Sequence, residues 1–114
     1  MLTPLTSEAG AEALIASREP AWLFKHSNAC SISHQAHSEV ESFLAGHPAP
    51  AGVLVVQQSR PLALWVANRL KRAHQSPQLF LLQDGTVHWS ASHWSITAAA
   101  MAQALTALRP AAPR

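Results

Sequence analysis

The sequence predicts an α/β domain in which a mixed four-stranded sheet is flanked by helices, with one additional helix at the N-terminus. Three observations carry this expectation. "VLVVQ", Val53 to Gln57, is a nearly continuous β-branched run, as in a strand buried on both faces. Apolar segments of strand length alternate with amphipathic segments of helical period, the order that right-handed crossovers build into a helix-covered sheet. Finally, Asp84-Gly85 stands between two apolar runs and signals an antiparallel hairpin, because a type I′ turn needs positive φ at both central residues.

Taken in order, "TSEAGAEALIASRE", Thr6 to Glu19, opens on hydroxyl residues suited to an N-cap and carries Ala11, Leu14 and Ile15 at helical spacing. Pro20 stops this helix, and "AWLFKH" follows as a first strand. From Cys30 onward, Ile32, Ala36, Val40 and Phe43 fall within one arc of a helix that ends near Gly46 and Pro48. The Pro/Gly-rich "HPAPAG" leads into the buried strand. "SRPLALWVANRLKR" then reads as a helix with Ser59 as N-cap and Pro61 in its first turn. "QLFLLQ" and "TVHWSA" form the hairpin around Asp84-Gly85, and "SITAAAMAQALTAL" closes the chain as a helix.

With 114 residues, 48% hydrophobic and 12% charged, the chain has room for one core and one domain over residues 1–114, with residues 1–5 and 110–114 expected as loose tails. Lys and Arg exceed Asp and Glu by only 8 − 6 = 2, too small an excess to neutralise many phosphates, so nucleic acid is not an expected partner. The one basic stretch, "NRLKR" from Asn68 to Arg72, suits the negative end of a helix dipole. A single cysteine excludes an internal disulfide and fits a reducing compartment. No cationic segment precedes an apolar leader, and no apolar run of ~18 residues occurs, so a cytoplasmic protein without a membrane partner is expected.

That cysteine, Cys30, lies in "FKHSNACSIS". A lone cysteine is commonly a small core hydrophobe. Here it sits about 115° from the centre of the apolar arc, with the polar residues Ser27, Asn28, Ser31 and Ser33 around it. At a helix start the unpaired N–H groups and the positive dipole end favour a thiolate, which is the nucleophilic form. Cys30 is therefore the candidate reactive group. His34, one turn further on, is a candidate for favouring the thiolate when protonated. Lys25 and His26 end the preceding strand, and alternation sends one toward the core and the other toward solvent without saying which. Cys30, His34 and His37 share a helix face, but seven residues rise ~10.5 Å, too far for one tetrahedral zinc with bonds of ~2.0 to 2.3 Å. No metal is expected. His88 and His93 read as structural or solvated, and Trp65, Trp89 and Trp94 as core or sheet-covering residues.

Lys25-His26-Ser27 before the cysteine, Ser76-Pro77-Gln78 before the hairpin, the Asp84-Gly85 turn and His93-Trp94 before the last helix together resemble the YtxJ-like monothiol bacilliredoxins of the thioredoxin superfamily. The likeness runs from about Phe24 to the last helix. It implies a thioredoxin-like fold with Pro77 as the cis-proline facing Cys30, and the Ser76 backbone as the group that pairs with substrate. It further implies that Cys30 is the nucleophile, that Asn28, Ala29, Ser31, Ser76 and Pro77 surround the bound thiol, and that Lys25, His26 and His34 are placed to tune it. The activity implied is reduction of mixed disulfides between client proteins and bacillithiol, with bacillithiol as co-substrate and no tightly bound cofactor. Two positions depart from the family pattern. Thr-Cys-Pro-Ile-Ser is replaced by Ala29-Cys30-Ser31-Ile32-Ser33, and Ser95 stands where an aspartate is usual, serine being a comparable helix cap. The rival readings are a glutathione-linked monothiol glutaredoxin-like protein, whose Cys-Gly-Phe-Ser-like site lacks a counterpart here, and a non-catalytic thioredoxin-fold adaptor.

Overall fold

The computed structural model describes residues 1–108. Its elements are β1 (Thr3–Pro4), α1 (Glu8–Ile15), β2 (Ala21–His26), α2 (Ser31–Gly46), β3 (Ala51–Val55), α3 (Arg60–Leu70), β4 (Gln78–Gln83), β5 (Thr86–Ser92), a 3-10 turn over His93–Ser95, and α4 (Ala98–Leu108). The strands form one sheet in the order β1-β3-β2-β4-β5. β3 runs parallel to β2 and to β1, while β4 is antiparallel to both β2 and β5. The α/β class stands as expected, and so does the order of strands and helices from α1 onward.

The sheet has five strands where four were expected. Thr3 pairs with Gly52 and Pro4 with Val53, and the Leu5 N–H donates to Val53 O at 2.8 Å. Residues 3–5 are therefore no loose tail, and Leu5 is only 8% exposed. A two-residue edge strand has no alternation to read, and proline is tolerated at an edge. Close approach is possible because residue 52 is glycine: a Cβ there would stand 2.7 Å from Leu5 Cγ. The expected C-terminal tail, 110–114, lies outside the described residues.

The central strands bury both faces, which is why they read as unbroken apolar runs. Leu23, Leu54, Phe80 and Leu82 pack with Ile15 of α1 and Leu62, Val66 and Leu70 of α3. On the opposite face Trp22, Phe24, Leu79 and Leu81 pack with Val40, Phe43 and Leu44 of α2 and Met101 and Ala104 of α4. Trp22 meets Phe43 and Trp89 edge-on. Trp65 and Trp89 are partly buried against these cores. Trp94, in contrast to its expected packing role, is 67% exposed, because the 3-10 turn carries it off the end of the sheet.

Caps explain the helix ends. Ser7 Oγ accepts the Gly10 N–H at 3.0 Å. The last carbonyl of α1 and one just beyond the helix are met by the hairpin turn, since Gly85 N–H donates to Ile15 O and Asp84 N–H to Ser17 O. Asp84 and Gly85 have φ of 53° and 80°, as the turn requires. α4 begins at Ala98 and is not capped by Ser95, which belongs to the 3-10 turn. Thr97 Oγ1 accepts the Ala100 N–H at 3.0 Å, and Glu39, reaching across from α2, accepts the Ala98 N–H at 2.8 Å.

Candidate functional site

The C-terminal end of β2, the start of α2 and the start of β4 meet at one end of the sheet, because Lys25 of β2 is opposite Gln78 of antiparallel β4. Cys30 is the N-cap of α2, with extended backbone at φ −123° and ψ 126° and a partly exposed side chain. From the N-cap a side-chain acceptor can reach first-turn N–H groups. Cys30 Sγ makes no such bond here.

The three residues before Cys30 are pinned by side chains. Ser27 N–H donates to Ser33 Oγ at 2.8 Å, Asn28 N–H to Gln57 Oε1 at 3.1 Å and Ala29 N–H to Ser27 Oγ at 3.4 Å. Gln57 Nε2 closes the clamp by donating to Ser27 Oγ at 2.6 Å. His34 Nε2 lies 3.2 Å from Asn28 O. A carbonyl only accepts, so that nitrogen carries a proton, and Asn28 is held at both its N–H and its C=O. Among the expected site residues, Asn28, Ala29 and His34 thus gather around the loop that presents Cys30, while Ser31 is the exposed first residue of α2. Ile32 is only half-buried and Ser33 takes the inward position, because the first turn of α2 overhangs the apolar core and meets His26 instead.

Alternation was expected to send either Lys25 or His26 to solvent; both are buried. β2 is central and covered on each face, Lys25 following Leu23 toward α1 and α3, and His26 following Phe24 toward α2. Lys25 Nζ donates to Gln78 Oε1 at 3.1 Å, and burial pushes its pKa down to about 8. His26 Nδ1 lies 2.8 Å from Ser33 Oγ. Its pKa is lowered to about 4, first by burial and then by His37 and His34, whose ring centroids are 5.0 and 5.4 Å away, against an opposing pull from Ser33. His26 is therefore neutral near pH 7 and lends no positive charge to a thiolate. Although three histidines converge, no group of three or more His, Cys, Asp or Glu among the described residues is arranged to hold a metal ion.

The Ser76-Pro77 peptide is cis, as the family resemblance implied. Pro77 is buried and its carbonyl accepts the His93 N–H at 3.1 Å. The Ser76 N–H and C=O have no hydrogen-bond partner among the described residues. Beside α2, a shallow groove of about 190 Å³ is lined by Ile32, Ala36, Glu39, Trp94, Ile96 and Thr97 among others. Sequence reasoning gave no site role to Gln57, Gln78 or Ser33, and it missed this groove. The first three act through contacts 30, 53 and 6 to 7 residues apart, which no local pattern encodes.

The assembled site is a lone, partly exposed thiol at a helix N-terminus, held on a braced loop and without a second thiol to answer it. The family model of the monothiol bacilliredoxin BrxC matches residues 3–101. A solved structure described as an oxidoreductase with a thioredoxin fold is 31% identical, with 91% of this chain and 93% of that chain covered and a TM-score of 0.86. Thioredoxin from Trypanosoma brucei brucei is 8% identical over 95% of this chain and 90% of its own, with a TM-score of 0.78. A mutant thioredoxin from Halobacterium salinarum is 13% identical over 97% and 93%, with a TM-score of 0.76. The two thioredoxins share the fold alone. With its single cysteine at the head of α2 in a thioredoxin fold, the chain belongs to the monothiol bacilliredoxin BrxC family.

Proposed function

We propose that this protein is a monothiol thiol-disulfide oxidoreductase that removes bacillithiol from client proteins, with Cys30 as nucleophile. The observation that supports it most is the position of Cys30: the N-cap of α2, partly exposed, at the end of a loop whose three preceding N–H groups are all held by side chains. The Cys30 thiolate attacks the bacillithiol-side sulfur of the mixed disulfide. The client sulfur departs as a thiolate and takes a proton from solvent, and a Cys30–bacillithiol disulfide replaces the one broken. Free bacillithiol then attacks the bacillithiol sulfur of that adduct, giving bacillithiol disulfide and regenerating the Cys30 thiolate. Each cycle consumes one free bacillithiol and exchanges the mixed disulfide for bacillithiol disulfide, one thiol and one disulfide on each side, so the electrons balance without a bound cofactor.

Ser76 supports the other half of the reading. Its unpaired peptide groups, beside buried Pro77, suit pairing with an extended client backbone or the thiol adduct, while Asn28, Ala29 and Ser31 border the sulfur. The clients are S-bacillithiolated proteins, and bacillithiol is a diffusing co-substrate. A lone thiol suits a reducing cytoplasm, and no described helix is long and apolar enough to cross a membrane.

The test is to incubate reduced protein with bacillithiol disulfide or with glutathione disulfide and weigh the product. One bacillithiol mass increment, located on Cys30 and formed faster than the glutathione adduct, is expected. Preference for glutathione would favour the glutaredoxin-like alternative, and a thiol that forms neither adduct until denatured would favour the adaptor.

A further inference from the structure

A lysine with no exposed surface stands on the central strand of the sheet, and its recorded partner is a neutral amide. Burying an amine without a carboxylate costs stability, and a hydrophobe on the same face would pack as Leu23 does two residues earlier. Core packing therefore does not account for Lys25.

Its contacts point elsewhere. Lys25 Nζ and the Gln75 N–H both donate to Gln78 Oε1, at 3.1 and 3.3 Å, while Gln78 Nε2 donates to Ala73 O at 3.1 Å. The pattern orients the amide without ambiguity, since its oxygen faces two donors and its nitrogen a carbonyl. The chain from Ala73 to Pro77 is thus closed over the Gln78 side chain, and the Gln78 side chain is tied to β2 by Lys25. On the far side, His93 N–H holds the Pro77 carbonyl. Ser76 lies between these restraints with its own peptide groups unpaired. An amine donates to an amide oxygen whether charged or neutral, so the tie survives deprotonation.

We propose that Lys25 and Gln78 form a buried clasp that positions the Ser76 peptide to pair with the client segment, so that Lys25 governs how tightly a client is held. The inference rests on the de-bacillithiolation reading above. It assigns Lys25 to positioning of the substrate strand and gives Gln78 a role in the same reaction.

Wild type, Lys25→Met and Gln78→Met are compared by three measurements: kcat and KM on a bacillithiolated client, alkylation of Cys30 by iodoacetamide, and hydrogen exchange at the Gln75 amide. Loss of one such bond predicts a KM raised roughly five- to tenfold in Lys25→Met, and loss of all three bonds of the Gln78 amide predicts a rise at least as large in Gln78→Met, with kcat and the alkylation rate within about twofold of wild type in both. The Gln75 amide should exchange faster in both. Should Gln78→Met fail to fold, Gln78→Glu keeps the acceptor for Lys25 and loses the donor to Ala73, and a smaller rise in KM is expected. Slower alkylation of Cys30 in Lys25→Met with KM unchanged would overturn the clasp and make Lys25 a modulator of the thiol, while unchanged KM and unchanged exchange would leave it no part in positioning. If wild type itself releases no client, the redox reading fails, and the clasp is decided by Gln75 alone: faster exchange in Lys25→Met sustains it, and unaltered exchange refutes it.

Discussion

Lys25 and His26 leave the end of β2 in opposite directions, and each is buried against a different layer of helices. Their titration shapes stability on both sides of neutral pH. Lys25, with a folded pKa of about 8 against an ordinary 10.5, binds its proton more weakly folded than unfolded, so the unfolded chain holds more protons across that window and stability rises with pH through it. His26, at about 4 against 6.5, acts in the same sense lower down, and its contribution is lost as pH falls from 6.5 toward 4. Urea unfolding over pH 4 to 10 should show both slopes. Lys25→Met should remove the alkaline rise, worth roughly 2 to 3 kcal/mol, and His26→Gln should flatten the acid loss; profiles parallel to wild type would contradict these assignments. At this scale the place of Cys30 at the start of α2 and the hairpin residues were legible in the sequence, and the cis Ser76-Pro77 bond through the family resemblance. Gln57 and Gln78 were not, because a glutamine that clamps a distant loop is spelled like one that faces water.

At the scale of elements, the first turn of α2 decides how Cys30 is presented. Ser31 is its first helical residue, a place where proline is favoured, and Cys30 already has the extended backbone that a following proline demands. Ser31→Pro should therefore stabilise the fold by about 0.5 to 1 kcal/mol and change the rate of thiol exchange. A loss of stability would mean that the Ser31 N–H is used. α4 depends on its neighbour for a cap, so Glu39→Ala should cost about 0.5 to 2 kcal/mol in urea unfolding and fray the amides of Ala98 and Ala100. Unchanged exchange there would contradict the cap. The boundaries of β2, α3 and β4 could be read because Pro20, Ser59 with Pro61, and Asp84-Gly85 mark them. The start of α4 could not, since Ser95 and Thr97 are equally good caps by type and a carboxylate 59 residues away settles the choice. β1 escaped notice because its two residues carry no period and its place depends on the missing side chain at Gly52.

Across the whole molecule the two ends of the sheet have different duties. At one end the Asp84-Gly85 turn holds the last carbonyl of α1, and Arg69 binds Glu12 through two hydrogen bonds of 2.7 and 2.8 Å, joining α1 to α3. At the other end lie the start of α2, with Cys30 as its N-cap, and the Ser76-Pro77 turn that leads into β4. That division follows from topology: β2 and β3 run in parallel toward the site, and antiparallel β4 brings Pro77 back to it. The layout was legible in the order of strands and helices, while the exposure of Trp94 and the groove beside it arise only from assembly. The central claim, that Cys30 takes bacillithiol from a client, is tested most directly by following release of reduced client from an S-bacillithiolated protein with wild type and with Cys30→Ser. Wild type should release the client and carry one bacillithiol per chain, and Cys30→Ser should release none. Equal release by the two proteins, or a marked preference of wild type for the glutathionylated client, would contradict it.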